Sequence, residues 1–289
     1  MTAIAAIMLA AATTHVKSPY LSAAAANAAD GRIIMAENAD AECYPASCTK
    51  LMTLLLALEA VEKGAISLDD IVPTTPLSER ERPSRIDFTP PSGMSLDDLL
   101  KALMVKSANN GAVMIAEHVA SRLHPEATNG VARLQAFVGD MNRRAKSLGM
   151  KRTLFTSPNG YPPEPGSRRK FDTSTACDMI RLGCEVVKHP AALRYTSLEF
   201  CNVKEKPSGK PHVYRTHNKL LLSSSKYKLA GVDGLKTGFH NAGGCSIVLT
   251  ATNSVGRRAI VAVMGSPSGA DRDSAAYKFM VDSLKSLEF

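Results

Sequence analysis

Short apolar runs typical of strands lie near both ends of the chain, and apolar residues recur at helical spacing between them. Residues 23–37 contain two such runs joined at Asp30-Gly31, a dipeptide that favours a tight hairpin turn. Beyond the hairpin, leucines within residues 51–58 repeat at helical spacing, and Gly64 is a helix stop signal. The pattern therefore predicts a hairpin followed by a buried helix whose first turn holds residues 47–50.

The middle of the chain is predicted to be helical. Ser95 and Asp98 have the spacing of a capping box before an apolar run, and a break at residues 107–111 precedes the next helix. A third helical run follows, and a Pro/Gly-rich loop, residues 157–168, separates it from a helix around residues 177–187. The helices therefore form one continuous block between the two strand-forming ends.

The last third of the chain is rich in β-forming residues. Residues 235–239, 245–252 and 258–264 are strand-like runs at hairpin distances, and residues 271–287 form an amphipathic helical pattern. Because strands lie at both ends of the chain, we expect one antiparallel sheet built from both termini, with helices packed against it. The predicted fold class is α+β, with a mostly helical lobe beside the sheet.

The N-terminal stretch Met1–Ala12 is apolar and has the length of a signal-peptide core, although it lacks the positive residues that usually precede one. We interpret residues 1–16 as a signal remnant or N-terminal extension, and we expect export to the periplasm or cell envelope. Residues 17–289 are expected to form one domain, with an α/β lobe from about 17–62 and 210–289 and a helical lobe from about 63–209. We expect no transmembrane helix and no second C-terminal domain.

Composition argues against several function classes. The net charge of +8 favours contact with polyanions, but the basic clusters are scattered, and the chain has no Trp and no zinc-finger or RNP signature. Six cysteines and seven histidines show no CxxC, HExxH or other metal-ligand spacing. We therefore expect no nucleic-acid partner, no metal and no cofactor, and we interpret most cysteines as buried free thiols.

Ser47 and Lys50 form a Ser-x-x-Lys motif at the start of the first predicted helix. On a helix this spacing brings the amine to the face that carries the hydroxyl, where a desolvated neutral lysine can act as the base for the serine. The motif alone is weak, because the same spacing also occurs at Ser167, Ser223 and Ser225.

Two further motifs distinguish Ser47 from these serines. Lys236-Thr237-Gly238 occurs once, in a strand-like run that presents a cation and a hydroxyl to a cleft, and we expect its glycine to let substrate backbone approach closely. Ser107-Ala108-Asn109 lies at a break between helices, where side chains can project into that cleft. Ser-x-x-Lys, Ser-x-Asn and Lys-Thr-Gly, in this order, are typical of serine acyl-transfer enzymes.

The residues around these motifs resemble the low-molecular-mass penicillin-binding proteins, the D-alanyl-D-alanine carboxypeptidases. The resemblance covers roughly residues 18–289 and is carried by Tyr44–Thr53 (YPASCTKLMT), Asp30–Asp40, Asn218–Leu221, Gly234–Phe239, Ala242–Cys245 and Val263–Gly265. It implies a β-lactamase/transpeptidase-like fold and a peptidoglycan pentapeptide substrate, with β-lactam antibiotics as covalent inhibitors. Cys48 stands where the family often has Thr, and we expect its side chain to turn into the core.

The resemblance also implies roles for individual residues. Ser47 would attack the bond between two D-alanines while Lys50 takes its proton, and Ser107 would relay a proton to the leaving amine with help from Lys236. Asn109 would bind the substrate amide. Thr237 would bind the terminal carboxylate, and Arg272 would support the pocket that holds it. Gly238 is a further substrate contact of the strand, and the backbone N–H groups of Ser47 and Phe239 would form the oxyanion hole.

Three other functions would also fit these motifs. A D,D-endopeptidase of cross-linked peptidoglycan would use the same chemistry on a different bond. A class A β-lactamase shares the fold and motifs, but needs a Glu-x-x-Leu-Asn segment that the surroundings of Glu164 (PPEPG) do not match. A catalytically silent wall-binding relative would keep the cleft for recognition alone.

Overall fold

The computed structural model describes residues 18–288, so the predicted export segment, residues 1–16, lies outside the described residues. The strands of this range are β1 (Ser22–Asn27), β2 (Ile33–Glu37), β3 (Ile71–Pro73), β4 (Gly93–Ser95), β5 (Phe200–Lys204), β6 (Pro211–Arg215), β7 (Val232–His240), β8 (Gly244–Thr252) and β9 (Arg258–Ser266). Its helices are α1 (Lys50–Glu62), α2 (Leu96–Val105), α3 (Asn109–Leu123), α4 (Gly130–Ser147), α5 (Ala176–Val186), α6 (Pro190–Thr196) and α7 (Gly269–Ser286), with 3-10 helices at Ala46–Thr49 and Ser78–Arg80. None of the helices in this range is long and apolar enough to cross a bilayer.

The main sheet combines strands from both ends of the chain, as predicted. It has five antiparallel strands in the order β2-β1-β9-β8-β7, and β1 joins the C-terminal strands by pairing with β9. The predicted N-terminal hairpin is β1 and β2, which turn through Asp30 and Gly31. Strand β7, which carries the Lys-Thr-Gly motif, forms one edge of the sheet.

Both faces of the sheet are covered, so alternate residues of each strand enter different cores. Ala24, Val248 and Ile260 belong to a core shared with helices α1 to α5, whereas Ala25 and Val261 pack beneath α7. Helix α5 lies against the sheet on the face opposite α7. The structure confirms the α+β class, and the proposed boundaries of the two lobes remain a prediction.

The predicted helices are present, and Ser95 caps α2 by accepting a hydrogen bond from the Asp98 amide at 3.2 Å. Two small two-stranded sheets, β3–β4 and β5–β6, were not predicted. All six cysteines are free thiols, and Cys177 alone among them is not buried. The expectation of buried free thiols is therefore confirmed for most of them.

Candidate active site

Ser47 lies on the 3-10 helix Ala46–Thr49, which leads directly into α1. The turn into this helix is sharp, because Ala46 adopts a φ of 49°, in the left-handed region that residues with a side chain rarely use. Gly160 packs against the Ala46 carbonyl so closely that a Cβ at Gly160 would overlap the carbonyl oxygen. The conformation of the serine turn is therefore held by a loop more than a hundred residues away.

Lys50 is fully buried beside the serine, and its Nζ lies 2.8 Å from Ser47 Oγ. The same nitrogen donates to Asn109 Oδ1 and to the Asn159 carbonyl, each at 2.7 Å. Burial lowers the pKa of Lys50 well below its usual value, and the charge of Lys236 lowers it further. A neutral amine has two N–H bonds, so these two acceptors leave its lone pair for the serine proton.

The other three Ser-x-x-Lys motifs do not form such a pair. Ser223 donates to Glu199, while its partner Lys226 lies 5.0 Å from the centroid of the Tyr227 ring. Lys228, the partner of Ser225, donates to the Leu221 carbonyl, and Ser167 is exposed. Among these four motifs, all within residues 18–288, only that of Ser47 joins the lysine to its own serine.

The Ser-x-Asn motif occupies the junction of α2 and α3. Ser107 is 7% exposed and has a φ of 63°, so it is a second strained residue in the left-handed region. Asn109, besides accepting from Lys50, donates from Nδ2 to the Arg82 carbonyl at 3.1 Å. In this structure the Asn109 amide therefore holds Lys50, and its contact with substrate remains a prediction.

Strand β7 lies beside the serine turn and presents the Lys-Thr-Gly motif. Lys236 is 2% exposed, and burial lowers its pKa to about 8. Its carbonyl accepts a hydrogen bond from Cys48 Sγ at 3.4 Å, so Cys48 faces the strand in the interior, as expected. Thr237 is 7% exposed, and the Phe239 ring is 61% exposed at the end of the motif.

The Pro45 carbonyl, a neighbour that the sequence does not identify, requires position 238 to be a glycine. We expected its missing side chain to admit substrate backbone, but a Cβ there would lie 2.5 Å from the Pro45 carbonyl oxygen of this chain. The close approach that this glycine permits is thus between β7 and the serine turn.

Arg272 stands in the first turn of α7 and is 7% exposed. Its Nε and Nη2 donate to Asp273 at 2.9 and 2.6 Å. Its charge also contributes, after burial, to lowering the pKa values of Lys236 and His217. Lys236 thus supplies the positive charge next to Thr237, whereas Asp273 balances the charge of Arg272, and the binding of a substrate carboxylate by these residues remains a prediction.

Sequence reasoning missed several polar groups of the loop around residues 157–172. Asn159 supplies the carbonyl that binds Lys50, and buried Asp172 accepts from Thr49 Oγ1 at 2.9 Å. Burial raises the pKa of Asp172, whereas hydrogen bonds from Thr156 and Thr49 oppose that shift. The Asn159-Gly160 dipeptide, a turn signal inside the predicted loop, was the sequence feature that could have drawn attention to these groups.

One cluster has the composition of a metal site: ligand atoms of Glu59, Glu185 and His189 lie within 4.8 Å of one another. However, Arg144 donates to Glu59 at 2.8 Å and to Glu185 at 2.6 Å. Because one guanidinium already bridges both carboxylates, we interpret the cluster as an ion-pair network.

Residues 11–268 of the chain match the family model described as D-alanyl-D-alanine carboxypeptidase. The chain is 30% identical over 251 residues to D-alanyl-D-alanine carboxypeptidase DacF of Bacillus subtilis, covering 86% of this chain and 58% of that protein. It is 30% identical over 274 residues to DacA of Haemophilus influenzae, covering 89% of this chain and 61% of that protein. The chain thus spans about 60% of the length of these curated relatives.

The structure also resembles a mutant of the Streptomyces K15 DD-transpeptidase, with a TM-score of 0.78 and 24% identity. The similarity covers 91% of this chain and 96% of the other. It confirms the predicted fold, an antiparallel sheet with flanking helices and a helical lobe, as that of the penicillin-binding peptidases.

Proposed function

Because the chain belongs to the D-alanyl-D-alanine carboxypeptidase family, we propose that it removes the terminal D-alanine of peptidoglycan stem peptides through an acyl-enzyme on Ser47. The observation that carries this proposal is the contact of buried Lys50 with Ser47 beside the Lys-Thr-Gly strand. We further propose an extracytoplasmic location, where this substrate occurs, and β-lactams as covalent inhibitors of the same serine.

Acylation begins with substrate binding beside Lys236. Thr237 and Lys236 hold the terminal carboxylate, and Arg272, which is paired with Asp273, supports this pocket. Ser47 Oγ then attacks the carbonyl carbon of the bond between the two D-alanines, and its proton passes to the neutral amine of Lys50. The backbone N–H groups of Ser47 and Phe239 stabilise the resulting oxyanion, an interaction typically worth about a hundredfold or more in rate.

The tetrahedral intermediate then collapses to an ester. The carbon–nitrogen bond breaks, and the proton held by Lys50 passes through the Ser107 hydroxyl to the departing D-alanine amine, with Lys236 supporting the relay. Lys50 is neutral again after this step. It can therefore accept a proton from the water that attacks the ester, and that proton finally returns to Ser47 Oγ as the shortened peptide leaves.

Digestion of purified muropeptides, followed by product analysis, tests the proposal. We expect the wild type to release free D-alanine and Ser47→Ala to release none. Ser223→Ala is a matched control, because this exposed serine has the same spacing to a lysine but lacks the contact with it. Conversion of cross-linked dimers to monomers, without free D-alanine, would instead identify a D,D-endopeptidase.

Labelling with a fluorescent penicillin distinguishes the carboxypeptidase from a β-lactamase and from a silent wall-binding relative. We expect a long-lived covalent adduct on the wild type and on Ser223→Ala, and none on Ser47→Ala. Rapid turnover of the β-lactam would overturn the proposal in favour of a β-lactamase. A chain that is neither labelled nor active on muropeptides would be a silent wall-binding relative.

A further inference from the structure

A cavity of about 530 Å³ lies behind the catalytic lysine, in the helical lobe. Its walls are the 3-10 helix Ser78–Arg80 and the residues after it, helices α3 and α4, and the loop that contains Asn159. Glu81 is part of this wall and is half-buried. No step of the mechanism above uses this carboxylate.

A single residue, Asn159, links Glu81 to Lys50 through hydrogen bonds. Its Oε2 accepts a hydrogen bond from Asn159 Nδ2 at 2.7 Å, and the Asn159 carbonyl accepts from Lys50 at 2.7 Å. The Asn159 side chain cannot turn over freely, because its Oδ1 also accepts from the Tyr161 amide at 2.9 Å. A continuous hydrogen-bonded path therefore runs from Glu81 through Asn159 and Lys50 to Ser47.

Several charged groups surround Glu81, and Arg80, Arg82, Glu164 and Arg169 line the same cavity. Burial raises the pKa of Glu81 above its ordinary value, although the hydrogen bond from Asn159 and the charges of Lys50 and Arg169 oppose the shift. In return, Glu81 raises the pKa of Lys50, against burial and Lys236. The amide donor of Asn159 is the direct contact that favours the ionised carboxylate.

Asp172 is the other carboxylate near Lys50, but its contacts are of a different kind. It accepts from Thr49 Oγ1 and from both the amide and the hydroxyl of Thr156. These bonds tie the loop to the start of α1, so Asp172 has a structural explanation. Glu81 has Asn159 as its side-chain hydrogen-bond partner within the described residues and faces the cavity.

We propose that Glu81 is a positioning residue for the acylation reaction: it holds Asn159 against Lys50 and supplies a negative charge that stabilises the protonated form of this lysine. The inference rests on the proposed function, because it requires Lys50 to be the base for Ser47. The charge of Glu81 then determines the pH below which the acylation rate falls, the acid limb of the pH profile. Its hydrogen bond to Asn159 determines the maximal rate, the plateau of the profile.

The test compares pH profiles of Ser47 acylation by a fluorescent penicillin. Glu81→Gln removes the charge, while its amide oxygen can still accept from Asn159. Loss of a nearby negative charge lowers the pKa of Lys50, so the acid limb should move to lower pH. At a pH below the wild-type midpoint, this variant should therefore acylate faster, relative to its own plateau, than the wild type.

Three further variants make the result specific. Glu79→Gln removes an exposed charge two residues away, and Glu164→Gln removes one from the rim of the same cavity. Both should keep the wild-type profile. Glu81→Asp keeps the charge but shortens its reach, so its plateau should fall while its acid limb stays in place. Thermal melting, recorded for every variant, shows that each is folded.

A Glu81→Gln profile that superimposes on that of the wild type would overturn the inference, since a purely structural contact does not move the acid limb. A shift of the acid limb in Glu81→Asp would also overturn it, and this result can be read even if Glu81→Gln is unstable. Failure of the premise that Ser47 forms the acyl-enzyme gives a different result: the wild type itself would then not be labelled on Ser47.

Discussion

Replacing Gly238 with alanine tests how closely β7 must approach the serine turn. The added Cβ would lie 2.5 Å from the Pro45 carbonyl oxygen and 3.2 Å from both the amide nitrogen and Sγ of Cys48. Because an unstrained carbon–oxygen contact begins at about 3.3 Å, the turn that carries Ser47 would have to retreat by about 0.8 Å. Backbone atoms, rather than flexible side-chain ends, form the closest contact, so little of this strain can be relieved locally.

The expected magnitudes follow from that displacement. Overpacking a tight contact typically costs about 1–3 kcal/mol of stability. Moving a reacting group by about 1 Å can cost about a hundredfold in rate. We therefore expect Gly238→Ala to fold with a melting temperature lower by several degrees and to acylate with a labelled penicillin about a hundredfold more slowly. The second-order acylation rate and thermal melting measure these two effects.

Gly139→Ala is the matched control. This glycine lies in α4, and the nearest atom to an added Cβ is the end of the flexible Arg143 side chain, at 3.3 Å. Alanine also favours a helix over glycine, so rate and stability should be retained. If Gly238→Ala acylated within about a factor of three of the wild type, a change below 1 kcal/mol in the barrier, the argument for a fixed spacing between β7 and Ser47 would be refuted.

Lys236, Cys48 and Arg144 each lead to a further measurable outcome. Burial lowers the pKa of Lys236 to about 8, so its charge is present below that pH and lost above it. KM for a peptide with a terminal carboxylate should therefore rise above pH 8, and Lys236→Arg should abolish the rise, because arginine stays charged. Burial raises the pKa of Cys48 to about 11, so iodoacetamide should modify it far more slowly in the native than in the unfolded chain, as read by mass spectrometry. Arg144→Met leaves Glu59 and Glu185 facing each other and should cost about 2 kcal/mol in urea denaturation.

Each of these outcomes has a clear contrary result. A KM that stays constant through that pH range would show that the Lys236 charge does not hold the carboxylate. Equal modification of Cys48 in native and unfolded protein would show that the strand opens readily around it. Unchanged stability of Arg144→Met would mean that solvent screens the two carboxylates effectively.

Local patterns predicted those parts of the molecule that local interactions determine. The hairpin turn at Asp30-Gly31 and the cap at Ser95 depend on neighbouring residues, and both were confirmed. The contact between Ser47 and Lys50 spans three residues and follows from helical spacing. The two-stranded sheets β3–β4 and β5–β6 were missed, because strands of three to five residues give little periodic signal.

The remaining partners of Lys50 could not be predicted, because they are 59 and 109 residues away in sequence. Their positions depend on how α3 and the loop around Asn159 pack against α1, which no local pattern encodes. The same limit applies to Gly238, where the sequence indicated a close approach but not that the approaching group was the Pro45 carbonyl. The motif residues could thus be predicted, whereas the groups that hold them in place and shift their pKa values could not.

The strained residues of the site show why its surroundings matter as much as its motifs. Ala46 and Ser107 have φ values of 49° and 63°, and left-handed residues with a side chain cost of order 1–3 kcal/mol each. Ala46 is held by the Gly160 loop, and Ser107 by the buried helices on either side of it. The same loop that holds Ala46 also brings Asn159 to Lys50. The geometry of Ser47 and the environment of Lys50 therefore depend on one packed segment, so a change there should affect both residues together.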